Sequence, residues 1–165
     1  MKKKRIGELL SKLHHMAVIV KNMDEAIEYY QALGIGPFEP VKVVHTDRML
    51  YGKPAPPDIK LIARGGQMGP IWLELIQPVS GKYIHQEFLE RRGEGINHIS
   101  FIVDDIEEAI SIMAEAGFKA IVYQKNVGGG GMAFFDTDKV GGVIIELQEL
   151  PPGVDRYYGN TTSGE

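Results

Sequence analysis

His15-Met16-Ala17-Val18-Ile19-Val20-Lys21-Asn22-Met23-Asp24-Glu25-Ala26-Ile27 lies without a gap over His98-Ile99-Ser100-Phe101-Ile102-Val103-Asp104-Asp105-Ile106-Glu107-Glu108-Ala109-Ile110, at an offset of 83 residues. The correspondence resumes at Leu33-Gly34-Ile35 over Ala116-Gly117-Phe118. Self-similarity at one fixed distance, with the same punctuation in both copies, marks a duplicated structural unit. Each copy reads as a strand, an acidic helix start, an amphipathic helix and a glycine stop. Asn22 and Asp105 have N-cap chemistry, and Glu25 and Glu108 stand three residues later at the capping-box spacing. Gly34 and Gly117 supply the left-handed residue that ends a helix.

Outward from this pair, each helix is followed by short strand-like runs broken by turn residues. In the first copy these are 38–44, 58–63 and 70–77; in the second, 120–124, 132–135 and 142–147. Tyr51 to Pro57 reads as a proline-rich loop, Arg64 to Gly69 as a hairpin turn, and Gly128 to Gly131 and Asp136 to Asp138 as further turns. Both halves therefore read βαβββ, which is an α+β chain built from two repeats. The expected organisation is an N-terminal extension over 1–12, a single domain over 13–150 and a C-terminal tail over 151–165. Within the domain, repeat one spans 13–79, a linker 80–94 carries a helix from Tyr83 to Arg91, and repeat two spans 95–150. The tail has little to bury and is expected to fray.

Composition narrows the class. The chain has 165 residues, 44% hydrophobic and 24% charged, as in an ordinary globular protein. A net charge of −4 gives no electrostatic reason for a nucleic-acid partner. The absence of cysteine excludes a disulfide framework, a thiolate metal site and a thiol nucleophile. No apolar run is long enough to span a bilayer, and Met1-Lys2-Lys3-Lys4-Arg5 is not followed by a signal-peptide core. A cytoplasmic protein without a membrane partner is the expectation.

The repeat also carries chemistry. Residues two apart in a strand share a face, so His15, Ala17 and Ile19 lie together, as do His98, Ser100 and Ile102. A small residue two positions after each histidine leaves space beside the imidazole. Each half closes on a strand with a lone carboxylate among apolar neighbours: Ile71-Trp72-Leu73-Glu74-Leu75-Ile76 and Val143-Ile144-Ile145-Glu146-Leu147. An ionised glutamate inside a buried strand is costly unless it meets a cation or several donors. Its appearance at equivalent places in both halves points to His15, Glu74, His98 and Glu146 converging on one divalent metal ion. Two neutral imidazoles and two carboxylates suit Co, Zn, Ni, Mn or Fe(II), and disfavour Cu(I). A strand histidine or glutamate taken singly is more often an ordinary core or edge residue, so symmetry carries the reading. His14 is the rival of His15, but the offset pairs His14 with Asn97. His45 and His85 have no repeat partner, and His85 reads as an exposed residue of the linking helix. The four glycines at 128–131 lack the Lys-Ser/Thr of a phosphate loop and read as a mobile loop beside the cavity. Lys53, Lys60 and Arg64 could hold an anionic substrate, though surface solvation explains them equally.

The run Phe88-Leu89-Glu90-Arg91-Arg92-Gly93-Glu94-Gly95-Ile96-Asn97-His98-Ile99-Ser100-Phe101-Ile102-Val103-Asp104-Asp105-Ile106, with Gly141-Gly142-Val143-Ile144-Ile145-Glu146-Leu147, resembles the vicinal oxygen chelate superfamily of glyoxalase, bleomycin resistance and dioxygenase proteins. Within it the likeness is to the methylmalonyl-CoA epimerase and glyoxalase I branches, and it covers residues from about 13 to 150. The resemblance implies a curved mixed sheet around a metal-binding cavity, with His15, Glu74, His98 and Glu146 at the family's metal positions. It also implies a homodimer and a small-molecule substrate such as an acyl-CoA. Three features depart from the epimerase pattern. Asp136-Thr137-Asp138 replaces a His-Pro-Lys run, an insert spans His45 to Pro57, and no carboxylate lies on Ile59 to Ala63. Glutamate at position 74, where epimerases often carry glutamine or histidine, is nearer the glyoxalase I set.

Four protein ligands on a six-coordinate ion leave two positions for a substrate with two neighbouring oxygens. The expected function is a metal-dependent epimerase or isomerase working through an enolate, methylmalonyl-CoA epimerase-like. Glu146 is the candidate base and Glu74 its counterpart on the opposite face, with water or Lys60 as alternatives. Competing readings are a glyoxalase I-like lactoylglutathione lyase or related lyase, and a non-catalytic small-molecule-binding module of the same fold. An extradiol dioxygenase is disfavoured because its site has one carboxylate.

Overall fold

Both helix starts form as their caps dictate. The Asn22 side chain accepts from the backbone N–H groups of Asp24 and Glu25, and Asp105 accepts from that of Glu108. The glycine stops adopt φ of +83° at Gly34 and +94° at Gly117, a region closed to most side chains. The structure is a computed structural model describing residues 2–154, Tyr157 and Tyr158.

The helices are α1 (Lys2–Leu9), α2 (Met23–Ala32), α3 (Ile84–Arg92) and α4 (Ile106–Glu115). The strands are β1 (Leu13–Ile19), β2 (Phe38–Pro40), β3 (His45–Leu50), β4 (Lys53–Pro54), β5 (Lys60–Met68), β6 (Ile71–Ser80), β7 (Gly95–Ile102), β8 (Ala120–Asn126), β9 (Gly131–Phe135) and β10 (Ile144–Glu149). They form one mixed sheet in the order β2-β5-β6-β1-β7-β10-β9-β8-β3-β4. The two repeats are mirrored in that order. β1 and β7, their first strands, lie side by side and antiparallel at the centre, and each is flanked by the parallel closing strand of its own repeat, β6 or β10.

Register follows the alternation of side chains. Val18, Val20, Leu73 and Leu75 pack with Met23, Ala26 and Ile27 of α2, and Val103, Ala133, Phe135 and Leu147 pack with Ile106, Ala109 and Met113 of α4. The opposite face carries His15, Ala17, Glu74, His98, Ser100 and Glu146. A slip of one residue would turn Leu75 and Leu147, both fully buried, away from the helices. The apolar face that seats the helices therefore fixes which way the polar face points.

In the N-terminal extension, α1 lays Ile6 and Leu9 on the α4 layer. Three expectations change. Arg64 to Met68 is strand rather than turn, and β5 pairs with β6 as far as Met68↔Ile71. Its glycines make room for rings, because a Cβ at Gly65 would collide with Tyr158 and one at Gly66 with Phe38. The insert after β2 contains the β3–β4 hairpin, which leaves its own repeat to pair with β8 of the other. The tail is anchored through Tyr157 and Tyr158, at 4% and 0% exposure, with Tyr158 bridging to Val41 and Lys42 donating to the Tyr157 carbonyl. The expectation of a frayed tail therefore fails at these two residues, and residues 159–165 lie outside the described ones.

Candidate metal centre

The pairing of β1 with β7 sets Ala17 opposite His98 and Ser100 opposite His15. The parallel flanks set Glu74 level with Ala17 and Glu146 level with Ser100. Each large ligand type thus faces a small residue, and the four side chains meet over Ala17 and Ser100, both fully buried. His15, Glu74, His98 and Glu146 are themselves at most 4% exposed.

His15 Nε2 stands 3.1 Å from a Glu74 oxygen, 3.2 Å from a Glu146 oxygen and 3.3 Å from His98 Nε2. His98 Nε2 lies 3.6 Å from both carboxylates. Neighbouring corners of an octahedron with bonds of roughly 2.1 Å are about 3.0 Å apart. The ligand atoms of His15, Glu74 and His98 all lie within 4.8 Å of one another and could hold one small ion, with Glu146 within 3.6 Å of both imidazoles. Neither Glu146 oxygen makes a hydrogen bond among the described residues. A buried carboxylate with unsatisfied oxygens, facing two imidazoles and a second carboxylate, fits a divalent cation.

Each histidine is oriented by the residue before it. His15 Nδ1 is 2.8 Å from His14 Nδ1, and His98 Nδ1 is 2.9 Å from Asn97 Oδ1. With Nε2 given to a metal, Nδ1 carries the proton and donates to these acceptors. Gln148 Nε2 bridges His14 Nδ1 at 3.2 Å and Ser100 Oγ at 2.9 Å. Burial pushes the His15 imidazole down, but the Glu74 charge and the closeness of both carboxylates outweigh it and raise it to about 9. Burial likewise pushes Glu74 and Glu146 up, but the imidazoles hold both below the usual carboxylate range.

The centre forms part of the floor of an open cavity of about 590 Å³ lined from both repeats. Leu61, Ile76, Met132 and Phe134 supply apolar wall, and Tyr157 stacks on His15 with ring centroids 5.9 Å apart. Lys60 lines this cavity, whereas Lys53 and Arg64 are not among its lining residues. The glycine run is also elsewhere: it closes the β8–β9 hairpin and packs on Glu149 to Pro152. His85 corrects the sequence reading most directly. It is 3% exposed, lines the cavity, and lies 5.8 Å from the His98 ring. Burial and then the His98 charge push its imidazole down to about 3. Its helical spacing to Phe88 and Leu89, three and four residues on, is the signal that places it on the buried face of α3. Arg48, His45, Gln124 and Tyr157 are further lining residues that the repeat could not reveal.

A family model for the Glyoxalase/Bleomycin resistance protein/Dioxygenase superfamily matches residues 14–135. The mitochondrial methylmalonyl-CoA epimerase of Dictyostelium discoideum is 28% identical over 149 residues, covering 87% of this chain and 82% of that protein. The crystal structure of methylmalonyl-CoA epimerase from Mycobacterium tuberculosis superposes with a TM-score of 0.62 at 20% identity, covering 86% of this chain and 89% of its own. A methylmalonyl-CoA epimerase in complex with methylmalonyl-CoA and ammonium superposes with a TM-score of 0.61 at 16% identity, covering 90% and 98%. At these identities the two structures share the fold.

Proposed function

The chain belongs to the glyoxalase/bleomycin resistance protein/dioxygenase superfamily, and from that premise we propose that it is a metal-dependent epimerase or isomerase of the methylmalonyl-CoA epimerase kind. The observation that carries the reading is the cluster of two imidazoles and two carboxylates, buried and mutually 3.1–3.6 Å apart across five pairs, opening into the cavity. His15, Glu74, His98 and Glu146 would hold the ion. Bound there, a divalent metal supplies Lewis acidity to a carbonyl oxygen, which lowers the pKa of the adjacent C–H.

The rest falls to the chain's own residues. One carboxylate, for which we nominate Glu146, takes the α-proton onto its oxygen as the C–H electron pair moves into the carbonyl to give an enolate. Glu74, nominated for the other face, takes a proton from solvent and passes it to the α-carbon while Glu146 gives its own back to solvent, so the carbon inverts with no net gain or loss of protons. The apolar walls keep bulk water from competing for the enolate. A small-molecule acyl substrate such as an acyl-CoA, and assembly as a homodimer, belong to the same reading; light scattering tests the latter by mass.

The test is elemental analysis of the purified protein, then proton exchange on methylmalonyl-CoA in deuterated water. We expect a stoichiometric divalent metal and deuterium at the α-carbon, with Glu146→Gln slowing exchange by about a hundredfold or more. Exchange that survives both chelation and Glu146→Gln would defeat the proposal. The Glu74 carboxylate favours one second reading, a glyoxalase I-like lyase, distinguished by consumption of a 2-oxoaldehyde only when thiol is present.

A further inference from the structure

Outside the four-residue cluster, the cavity wall carries a second polar group of side chains that the proposed reaction does not use. Arg48 comes from β3, on the inserted hairpin. Its register with β8 breaks between Thr46 and Met49, and Asp47 within the break has a left-handed φ of +47°. A bulge of this kind shifts the alternation of a strand by one. As a result His45 and Arg48, three residues apart, both line the cavity, which a regular strand would forbid. Backbone distortion next to a candidate active site thus re-aims an arginine inward.

The guanidinium is held on one side only. Arg48 Nε donates to Gln124 Oε1 at 2.7 Å, and Cζ lies 5.0 Å over the Tyr83 ring. Among the described residues no carboxylate forms an ion pair with it. His85 meets the same Tyr83 ring in a T-shaped contact, with centroids 5.1 Å apart. Neither His85 nitrogen has a hydrogen-bond partner among the described residues, although both are buried. An unpaired guanidinium and an unpaired imidazole in one apolar cavity call for the same complement, a compact anion with several acceptor oxygens.

We propose that Arg48 and His85 form a carboxylate-binding subsite, so that the substrate carries a carboxylate separate from the oxygen pair directed at the metal. The proposal rests on the metal-dependent reading above for the position of that oxygen pair. Arginine with Nε already tied offers its remaining donors as a planar fork, the geometry that matches a carboxylate. Arg48 binds the anion, while His85 contributes a neutral N–H beside it. The low dielectric of the cavity strengthens the pair relative to one in water. A carboxylate at this wall would also orient the acyl group, since two fixed points hold a substrate better than the metal alone.

The test compares 2-oxoglutarate with 2-oxopentanoate on Co(II)-loaded protein, by titration calorimetry and the cobalt visible spectrum. The two probes offer the same 2-oxo acid to the metal and differ in the distal carboxylate. Wild type should bind 2-oxoglutarate about tenfold or more tightly than 2-oxopentanoate. Arg48→Met should reduce the ratio to about one by weakening 2-oxoglutarate alone, and His85→Phe should lower it by a smaller factor. Arg48→Lys, which keeps the charge but loses the fork, should fall between and serves if Arg48→Met does not fold. Equal affinities in wild type, or a preference retained in the position-48 variants, would overturn the subsite. If wild type takes up no Co(II), the metal-dependent reading fails instead, and the subsite is then judged on metal-free protein with glutarate. Glutarate binding lost in Arg48→Met or Arg48→Lys supports it; no binding, or binding unchanged in those variants, overturns it.

Discussion

His14 and Asn97 occupy the same place in the two repeats, and each stands within hydrogen-bond distance of Nδ1 of the histidine that follows it. Their chemistry differs but their geometry does not: 2.8 Å to His15 Nδ1 and 2.9 Å to His98 Nδ1. An acceptor at Nδ1 fixes the tautomer, turns Nε2 toward the carboxylates and raises its basicity. Asn97→Leu should therefore weaken metal binding by about 10–100-fold while leaving the fold intact. Competition with a chromophoric chelator measures this, and an unchanged affinity would mean that His98 needs no such support. The four proposed ligands were legible because duplication tests each position twice, and strand parity then puts them on one face. His85 and Arg48 were not, for different reasons. His85 has no copy, and only its helical spacing to Phe88 and Leu89 marks it as buried. Arg48 points inward only because of a bulge, a feature with no sequence signature beyond Asp47 itself.

Elements that depend on local chemistry were readable in the same way. The caps at Asn22 and Asp105 and the stops at Gly34 and Gly117 act within a few residues, so composition reveals them. The β3–β4 hairpin pairs across the repeat boundary with β8, and no local pattern encodes a partner that distant. Gly65 and Gly66 misled for a related reason, since glycine in a strand and glycine in a turn look identical until the opposing rings are known. The contact between β5 and the tail gives a test at this scale. Gly65→Val should push Tyr158 off the sheet and cost about 1–3 kcal/mol by overpacking. Tyr158→Ala should cost about 3 kcal/mol or more, because the ring is fully buried. In the double variant the valine no longer meets a ring, so the combined loss should fall short of the sum. Urea denaturation of the three variants gives that coupling, and strict additivity would show that the tail does not rest on Gly65.

For the molecule as a whole, histidines set opposite pH limits on stability. His85 is held down to about 3 and His14 to about 4, in both cases chiefly by burial, and burial also lowers His45. An unfolded chain takes up protons at these sites below about pH 6.5 while the folded chain does not. Their contribution is therefore present above that pH and is lost as pH falls toward 3, at up to about 1.4 kcal/mol per pH unit for each histidine. The depressed carboxyls of Glu74 and Glu146 lose their contribution in the same direction at lower pH. His15 acts the other way. Raised to about 9 against Glu74 and Glu146, it stabilises the metal-free fold fully below about pH 6.5 and stops doing so as pH climbs through 9. Metal-free protein should thus be most stable near pH 6.5 and weaken on both sides. A divalent ion replaces the His15 proton as the partner of the two carboxylates, so it should abolish the alkaline decline and leave the acid one. At a hundredfold excess over Kd it should add about 2.7 kcal/mol at neutral pH, and more at pH 9, where no proton has to be displaced. Urea midpoints from pH 4 to 9.5, with chelator and with Co(II), measure both limbs. An alkaline decline that persists in saturating metal would show that His15 is not where the ion binds.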